Sequence, residues 1–264
     1  GLAVGDQVYG YTGVVAMGTW AEFVVVDVDA LAPVPRSISM AQAASLPVVA
    51  LTAWQSLVTI GHLQPGQTVL VHGGAGGVGA AVIQLAKHLG ATVATTASAS
   101  SAETVRQLGA DIIIDYRSED FVQRLSETPV DIVVDTQGGE ITSRSFQVLR
   151  PGGIVVGIAG TPDPSLADQA GAGPAVKAAL SVLSLKMRRQ ASKLGVRYRF
   201  LFIEPDGPAL RTIAGLVDDG VIQPVVDRIL PFEQTLAALD QLLAGGTRGK
   251  VLITTNEQEV TTHA

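Results

Sequence analysis

Val69-Leu70-Val71-His72-Gly73-Gly74-Ala75-Gly76-Gly77-Val78-Gly79 decides the fold of this chain. The five residues 68–72 are an unbroken β-branched and aliphatic run, the pattern of a strand buried on both faces. The glycines interrupt it, and residues 80–89 then read as a helix that stops at Gly90, a residue suited to a left-handed cap. Gly74, Gly76 and Gly79 spell G-x-G-x-x-G. In that motif the first glycine permits a tight turn, the second lets backbone approach a pyrophosphate, and the third lets helix and strand pack closely. The start of the helix adds N–H donors and the positive end of its dipole. Glycine-rich turns are common, so the motif carries weight through its context: it follows a buried strand, opens a helix and leads to a second strand at residues 92–97.

Outward from this unit the alternation continues. Residues 112–116, 132–136, 154–159 and 198–203 read as further strands, and residues 102–108, 118–125, 141–149 and 175–194 as helices. Strands alternating with helices argue for a parallel α/β sheet. Residues 162–173 read as a loop. Beyond Pro205 the pattern changes to a helix at 210–218, a strand at 225–229, a helix at 232–244 and a closing strand at 251–254. Before Thr52 the chain reads as short antiparallel strands, at 7–9 and 21–26.

Composition narrows the function classes. The 264 residues are 47% hydrophobic and 16% charged, with formal net charge −6. That charge, read with no Lys/Arg cluster interleaved with aromatics, points away from nucleic acid and anionic membranes. The apolar stretches at 46–54 and 78–89 are interrupted by polar residues, so no spanning segment is read. The absence of cysteine excludes disulfides, iron–sulfur clusters and cysteine-ligated zinc and agrees with a reducing, cytoplasmic setting. The four histidines, His62, His72, His88 and His263, lack ligand spacing, so no metal is expected. His72 enters the glycine turn and reads as a local hydrogen-bonding residue. Residues 37–86 contain no Asp, Glu, Lys or Arg. This reads as a buried segment, compatible with the wall of a cleft for an apolar substrate and a nicotinamide ring.

The end of the second strand selects the dinucleotide. An acid there would hold a ribose 2′-hydroxyl, but the chain has Ala97-Ser98-Ala99-Ser100-Ser101. Small hydroxyls at Ser98 and Ser101 leave room for a 2′-phosphate and can donate to it. NADPH is therefore expected, with NADH the second candidate.

Several segments occur in an order that resembles the zinc-independent medium-chain dehydrogenases/reductases, in their NADP-dependent quinone oxidoreductase-like group. They are Gly5-Asp6-Gln7-Val8-Tyr9-Gly10, Ala21-Glu22-Phe23, Leu46-Pro47, Leu51-Thr52-Ala53-Trp54, the glycine loop, Asp135 with Gly138-Gly139, Arg150-Pro151-Gly152-Gly153 and Arg248-Gly249-Lys250-Val251. The resemblance implies a doubly wound Rossmann domain at 52–205 and a partial GroES-like β-barrel catalytic domain from 1–51 and 206–264. It implies that Gly76, Gly77, Val78 and Gly79 cradle the pyrophosphate and that Tyr116 lies near the adenosine phosphate. Thr52 falls beside the nicotinamide ribose, Gly157, Ile158 and Ala159 meet the carboxamide, Leu201 and Phe202 line the nicotinamide side, and Lys250 contacts the cofactor. Many relatives carry Lys or Arg where this chain has Ser100 and Ser101.

The implied activity is hydride transfer from NADPH to a quinone or α,β-unsaturated carbonyl, a small apolar electrophile, with no catalytic acid evident. A trans-acting enoyl reductase of polyketide or fatty-acid synthesis is the enzymatic alternative; a non-catalytic NADPH-binding sensor or scaffold is the other. A homodimer is expected through the sixth strand, Tyr198 to Ile203. The chain begins at Gly1 without an initiator Met, and the family's catalytic domain starts earlier. A missing front is therefore expected, with unpaired strand edges, Val24, Val26 and Val251 uncovered, and weak turnover.

Overall fold

The structure, a computed structural model, describes residues 1–13, 18–244, 247 and 249–255. It divides into two compact units, one of Gly1–Leu51, Gly76–Ala81 and Ile203–Ala264, the other of Thr52–Ala75 and Val82–Phe202. In chain order the elements are β1 (Val8–Gly10), β2 (Leu31–Pro33), α1 (Met40–Ala44), α2 (Leu46–Trp54), β3 (Thr68–His72), α3 (Gly77–His88), β4 (Thr92–Ala97), α4 (Ala102–Gln107) and β5 (Ile112–Asp115). There follow α5 (Phe121–Arg124), β6 (Val130–Asp135), α6 (Glu140–Ser145), β7 (Leu149–Gly157), α7 (Ser165–Gln169), α8 (Pro174–Leu183), α9 (Leu185–Lys193), β8 (Arg197–Phe200), α10 (Gly207–Asp218), β9 (Val226–Pro231), α11 (Thr235–Ala244) and β10 (Lys250–Thr254). Among the described residues no helix is long and apolar enough to cross a membrane.

The larger unit is built on a six-stranded sheet in the order β5-β4-β3-β6-β7-β8, every neighbouring pair parallel. Sequence dictates which strands are central. All six residues of β6 are buried, as are four of five in β3 and five of six in β4, because these runs have helices to cover each face. The edge strands β5 and β8 are only partly buried. One core cluster joins Leu70, Ile114, Phe121, Val133, Phe146 and Val155. Each such side chain contributes about 1.5–3 kcal/mol by leaving water. Phe146 also meets the Tyr198 ring edge-on at 6.2 Å between centroids. The chain winds outward from β3 to β5, then crosses back to lay β6 on the other side of β3. The strand order therefore reverses between β3 and β6, the point where α/β sheets open a crevice at their C-terminal ends.

The smaller unit contains two separate two-stranded sheets. Antiparallel β1 and β2 pair Val8 with Pro33 and Gly10 with Leu31. The α10 helix begins at Gly207 because the Asp206 carboxylate accepts from the Ala209 N–H at 2.8 Å and Pro208 needs no partner in the first turn. A Cβ at Gly207 would lie 2.5 Å from the carbonyl oxygens of Asp29 and Leu31, so the helix start packs directly on the backbone there. Tyr9 Oη donates to the Leu210 carbonyl at 2.7 Å, and its burial pushes the phenol pKa upward. β9 and β10 are parallel, joined through α11, with Ile229 and Leu252 in a small core with Ala41.

The structure corrects five readings of local sequence. Residues 21–26 form no strand; Phe23, Val24 and Val25 are exposed, with no ladder partner to recruit their β propensity. The 162–173 loop contains α7, nucleated by Asp163, which accepts from the Ser165 N–H at 2.8 Å. The 175–194 helix is two helices broken at buried Ser184, whose Oγ donates to the Leu180 carbonyl at 2.7 Å and diverts the backbone. The 141–149 helix ends at Ser145, and β7 begins at Leu149, where Leu149 pairs with Val130 of β6. The sixth strand runs from Arg197 to Phe200 rather than from Tyr198 to Ile203. Its neighbour β7 ends at Gly157, whose carbonyl takes the Leu201 N–H at 2.8 Å as the last bond of the ladder. Arg248 of the C-terminal motif and His263 lie outside the described residues.

Candidate functional site

The glycine turn is set by the strand beside it. Gly73 has φ +72, a left-handed conformation that side chains rarely adopt, and its N–H donates to Thr96 Oγ1 at 3.1 Å. Gly74 donates to the Thr96 carbonyl at 3.0 Å, and a Cβ there would fall 2.1 Å from Thr95 Oγ1. The tight turn thus belongs to Gly73, and Gly74 serves close packing on β4. Sequence reading had assigned the turn to Gly74. Gly76 is exposed and Gly79 is buried, as an approach glycine and a packing glycine require. Gly76 O accepts the Ala80 N–H at 2.9 Å, so the first turn of α3 presents N–H groups that have no partner within the helix. A twelve-residue helix carries a substantial dipole to that end.

His72 supports the turn from below. Its Nε2 lies 3.0 Å from Ser145 Oγ, and Ser145 donates its own proton to the Ile141 carbonyl at 2.7 Å. Nε2 must therefore carry the ring proton, and Nδ1 accepts from Thr96 Oγ1 at 3.2 Å. Thr96 Oγ1 in turn accepts from Gly73. Four donors align in one direction from the turn's amide to α6. Burial lowers the His72 pKa, Asp135 opposes that and Arg144 adds a smaller lowering, with about 4 as the net result. His72 is neutral near pH 7 and positions the turn; it is not a base. Thr96 and Ser145 were missed in the sequence; the signal for Thr96 was a polar residue inside an apolar strand, and Ser145, at the end of α6, carried none.

The C-terminal ends of β4 and β5 meet through the pairing of Ala97 with Asp115. Ser98 Oγ lies 3.0 Å from Ser100 Oγ and 3.2 Å from Ser101 Oγ, a cluster of hydroxyls where an acid would otherwise stand. Tyr116, exposed, follows directly and its N–H points to the Ala97 carbonyl at 3.4 Å. The structure thus brings Ser98, Ser101 and Tyr116 to one edge.

Beyond the switch point, Asp135 explains the Asp-x-x-Gly-Gly segment. Its fully buried carboxylate accepts from the Gln137 and Gly138 N–H groups at 2.9 and 3.1 Å and from Thr142 Oγ1. Gly138, at φ +77, packs so that a Cβ would sit 3.0 Å from Gly160 Cα. The β6 and β7 loops therefore touch backbone to backbone. Ile158 donates to the Asp135 carbonyl at 2.9 Å, fixing Gly157-Ile158-Ala159 beside that turn. Tyr198 Oη donates to the Thr161 carbonyl at 2.7 Å; burial, then Asp163 and Asp135, push its pKa upward. Asp163, unread in the sequence, is buried and also accepts from the Phe200 N–H at 3.1 Å. Leu201 is buried just past β8 and Phe202 is half-buried. Thr52 is buried near the end of α2.

In the smaller unit, a Cβ at Gly77 would lie 3.1 Å from Lys250 Cδ, and Gly76 bridges Gly249. Lys250 thus sits at the start of α3. Gly249 is held at φ +89 with a hypothetical Cβ 2.2 Å from the Val225 carbonyl, so nothing larger fits.

Comparison with known proteins gives consistent relatives. A family model described as zinc-binding dehydrogenase matches residues 108–253. The chain is 34% identical over 262 residues to the mitochondrial NAD(P)H oxidoreductase RTN4IP1 of Danio rerio, covering 97% of this chain and 67% of that protein. It is 33% identical over 264 residues to the 2-methylene-furan-3-one reductase of Solanum lycopersicum, covering 96% of this chain and 58% of the relative. The chain therefore spans about two thirds or less of the length of these curated relatives. Among solved structures, the quinone oxidoreductase from Coxiella burnetii superposes with TM-score 0.82 at 30% identity, covering 97% of this chain and 74% of that one. With the reversed parallel sheet and its glycine turn, these similarities place the chain in the medium-chain dehydrogenase/reductase family of NAD(P)H-dependent oxidoreductases, within the quinone oxidoreductase-like group.

Proposed function

We propose that this chain carries out a zinc-independent, NADPH-dependent reduction of a quinone or an α,β-unsaturated carbonyl. The observation that carries the reading is the exposed Gly76 between a left-handed Gly73 and the start of α3, at the sheet's switch point, with hydroxyls and no acid at the end of β4. These residues fit a dinucleotide. The Gly76-Gly77-Val78 backbone and the helix dipole suit a pyrophosphate. Ser98 and Ser101 can donate to a 2′-phosphate, Tyr116 lies beside them, and Lys250 adds positive charge at the loop. Gly157, Ile158 and Ala159 offer backbone groups for a carboxamide. The dinucleotide, when bound, supplies the reducing equivalents; the protein supplies orientation and exclusion of water.

The quinone and the methylene-furanone in the relatives' names support this substrate class, an electrophilic carbon conjugated to a carbonyl. The uncharged run 37–86 suits an apolar substrate of that kind. Zinc independence rests on the chain's lack of cysteine. Among the described residues, moreover, no three His, Asp or Glu side chains group as metal ligands. A cytoplasmic location and a homodimer through the β8 edge belong to the same proposal, with Phe200 as the strand's last residue. The test is reduced-nicotinamide consumption with a panel of small quinones and enones, beside fluorescence titrations of NADPH and NADH. NADPH binding tighter than NADH, with consumption, supports the reading. Binding without consumption of any acceptor favours a sensor or scaffold, and no binding overturns it.

A further inference from the structure

Residues 169–203 contain no Asp or Glu, yet hold seven of the 18 Lys and Arg of an otherwise acidic chain. Arg197-Tyr198-Arg199-Phe200, which is β8, interleaves arginine with aromatics, a local cluster that whole-chain charge conceals. Period-two pleating puts Arg197 and Arg199 on one face of the strand. The α9 helix that leads into β8 supplies Arg188. These three arginines, with His62, line a groove of about 680 Å³ at the N-terminal side of β8, and no carboxylate lines it. None of the three is in an ion pair among the described residues.

The fourth side of the groove is held in an unusual conformation. His62 has φ +49 and is the only described residue other than glycine with positive φ. Such a conformation persists only where its surroundings impose it. Here they do. A Cβ at the preceding Gly61 would lie 2.7 Å from both Ile132 Cδ1 and the Ser56 carbonyl, so the segment is pressed onto β6. The His62 carbonyl then accepts from Gln64 Nε2 at 2.9 Å.

We infer that this groove is a binding site for a small multivalent phosphate ligand, separate from the dinucleotide site at the opposite end of the strands. Guanidinium groups present planar forks that match phosphate oxygens two at a time. Gathered without a carboxylate, the three repel one another, and an anion relieves that repulsion as it binds. Pairing of β8 with a second copy, as proposed above, runs through the strand's backbone and leaves the Arg197 and Arg199 side chains on a face of the sheet; it accounts neither for Arg188 on a separate helix nor for the constrained His62 rim.

The test is calorimetric titration of the 264-residue chain with inorganic pyrophosphate at fixed ionic strength. It is run on the unaltered protein, on Gly76→Val and on Arg188→Gln/Arg199→Gln. The expected result is saturable binding that survives Gly76→Val and weakens about tenfold or more in the arginine variant, the loss expected when charge-assisted bonds are removed. Arg188→Gln alone, on an exposed helix position, should weaken binding by a smaller factor and covers the case in which the double variant fails to fold. Absence of saturable binding to the unaltered chain, or equal affinity in the arginine variants, overturns the proposal.

Discussion

The two ends of one sheet present hydrogen-bond donors and positive charge by different means. At the C-terminal ends of β3, β4 and β6 the turns are glycine-rich and hydroxyl-rich: Gly73 and Gly76, the Ser98–Ser100–Ser101 cluster, and the Asp135 turn. Donors there are backbone amides and a helix dipole, fixed in place by the fold, with Lys250 the side-chain cation brought to the glycine loop. At the N-terminal side of β8 the donors are arginine side chains on an exposed edge. The first arrangement is preorganised, because its geometry is that of the backbone. The second is adaptable, because each guanidinium sits on a flexible stem. A fixed amide cradle suits a ligand of one shape; a mobile cationic rim suits charge more than shape.

The largest effect should come from breaking the preorganised end. Gly76→Val places a branched side chain where the proposed function brings a pyrophosphate to the backbone, and NADPH affinity should then fall by about 100-fold or more. Gly76 is exposed, so the melting temperature should change little. Fluorescence titration and a melt on the same sample check this; undiminished affinity would show that the dinucleotide lies elsewhere.

The next effect concerns the His72 relay. Its pKa is lowered to about 4 in the folded protein from 6.5 in the unfolded chain. Between those values the unfolded state binds the proton and the folded state does not. Stability is therefore unaffected above pH 6.5 and declines as pH falls from about 6.5 to about 4, by roughly 3 kcal/mol in all. Denaturant melts across that window should show the slope, and His72→Gln should flatten it. An unchanged slope in the variant would assign the acid sensitivity to the carboxylates instead.

Gly74→Ala should destabilise by about 1–3 kcal/mol through overpacking against Thr95, whose Oγ1 is committed to the Val71 carbonyl. A drop in melting temperature without loss of the parallel sheet's far-UV signal is the expected reading. The smallest effect is a change of preference. Ser98→Asp should repel a 2′-phosphate and favour NADH by about tenfold, roughly 1.4 kcal/mol. Parallel titrations with the two dinucleotides measure it, and an unshifted ratio would remove Ser98 from the site.

The same comparison explains how much was legible in the sequence. The β3–α3–β4 unit is written locally: a buried run, glycines, a helix, a second run, all within thirty residues. Periodicity therefore located five of the six strands of the larger sheet within a few residues. The sixth was placed but overextended, because its limit is set by where its neighbour β7 ends, which no local pattern records. Residues 21–26 carry β-forming side chains yet make no strand, since a strand is defined by its partner. Gly73 and Gly74 exchanged roles because the motif names spacing, whereas the turn is decided by Thr95 and Thr96 on the next strand. The arginine groove was hidden by averaging, as 24 acidic residues elsewhere outweigh it.

One measurement addresses the central claim most directly: amide hydrogen exchange of the 264-residue chain with and without NADPH. The account predicts new protection at the glycine loop and first turn of α3, at residues 98–101 and 116, and at 157–159, with no change at residues 186–199. No protection at the glycine loop, or protection centred on the arginine groove, would contradict it.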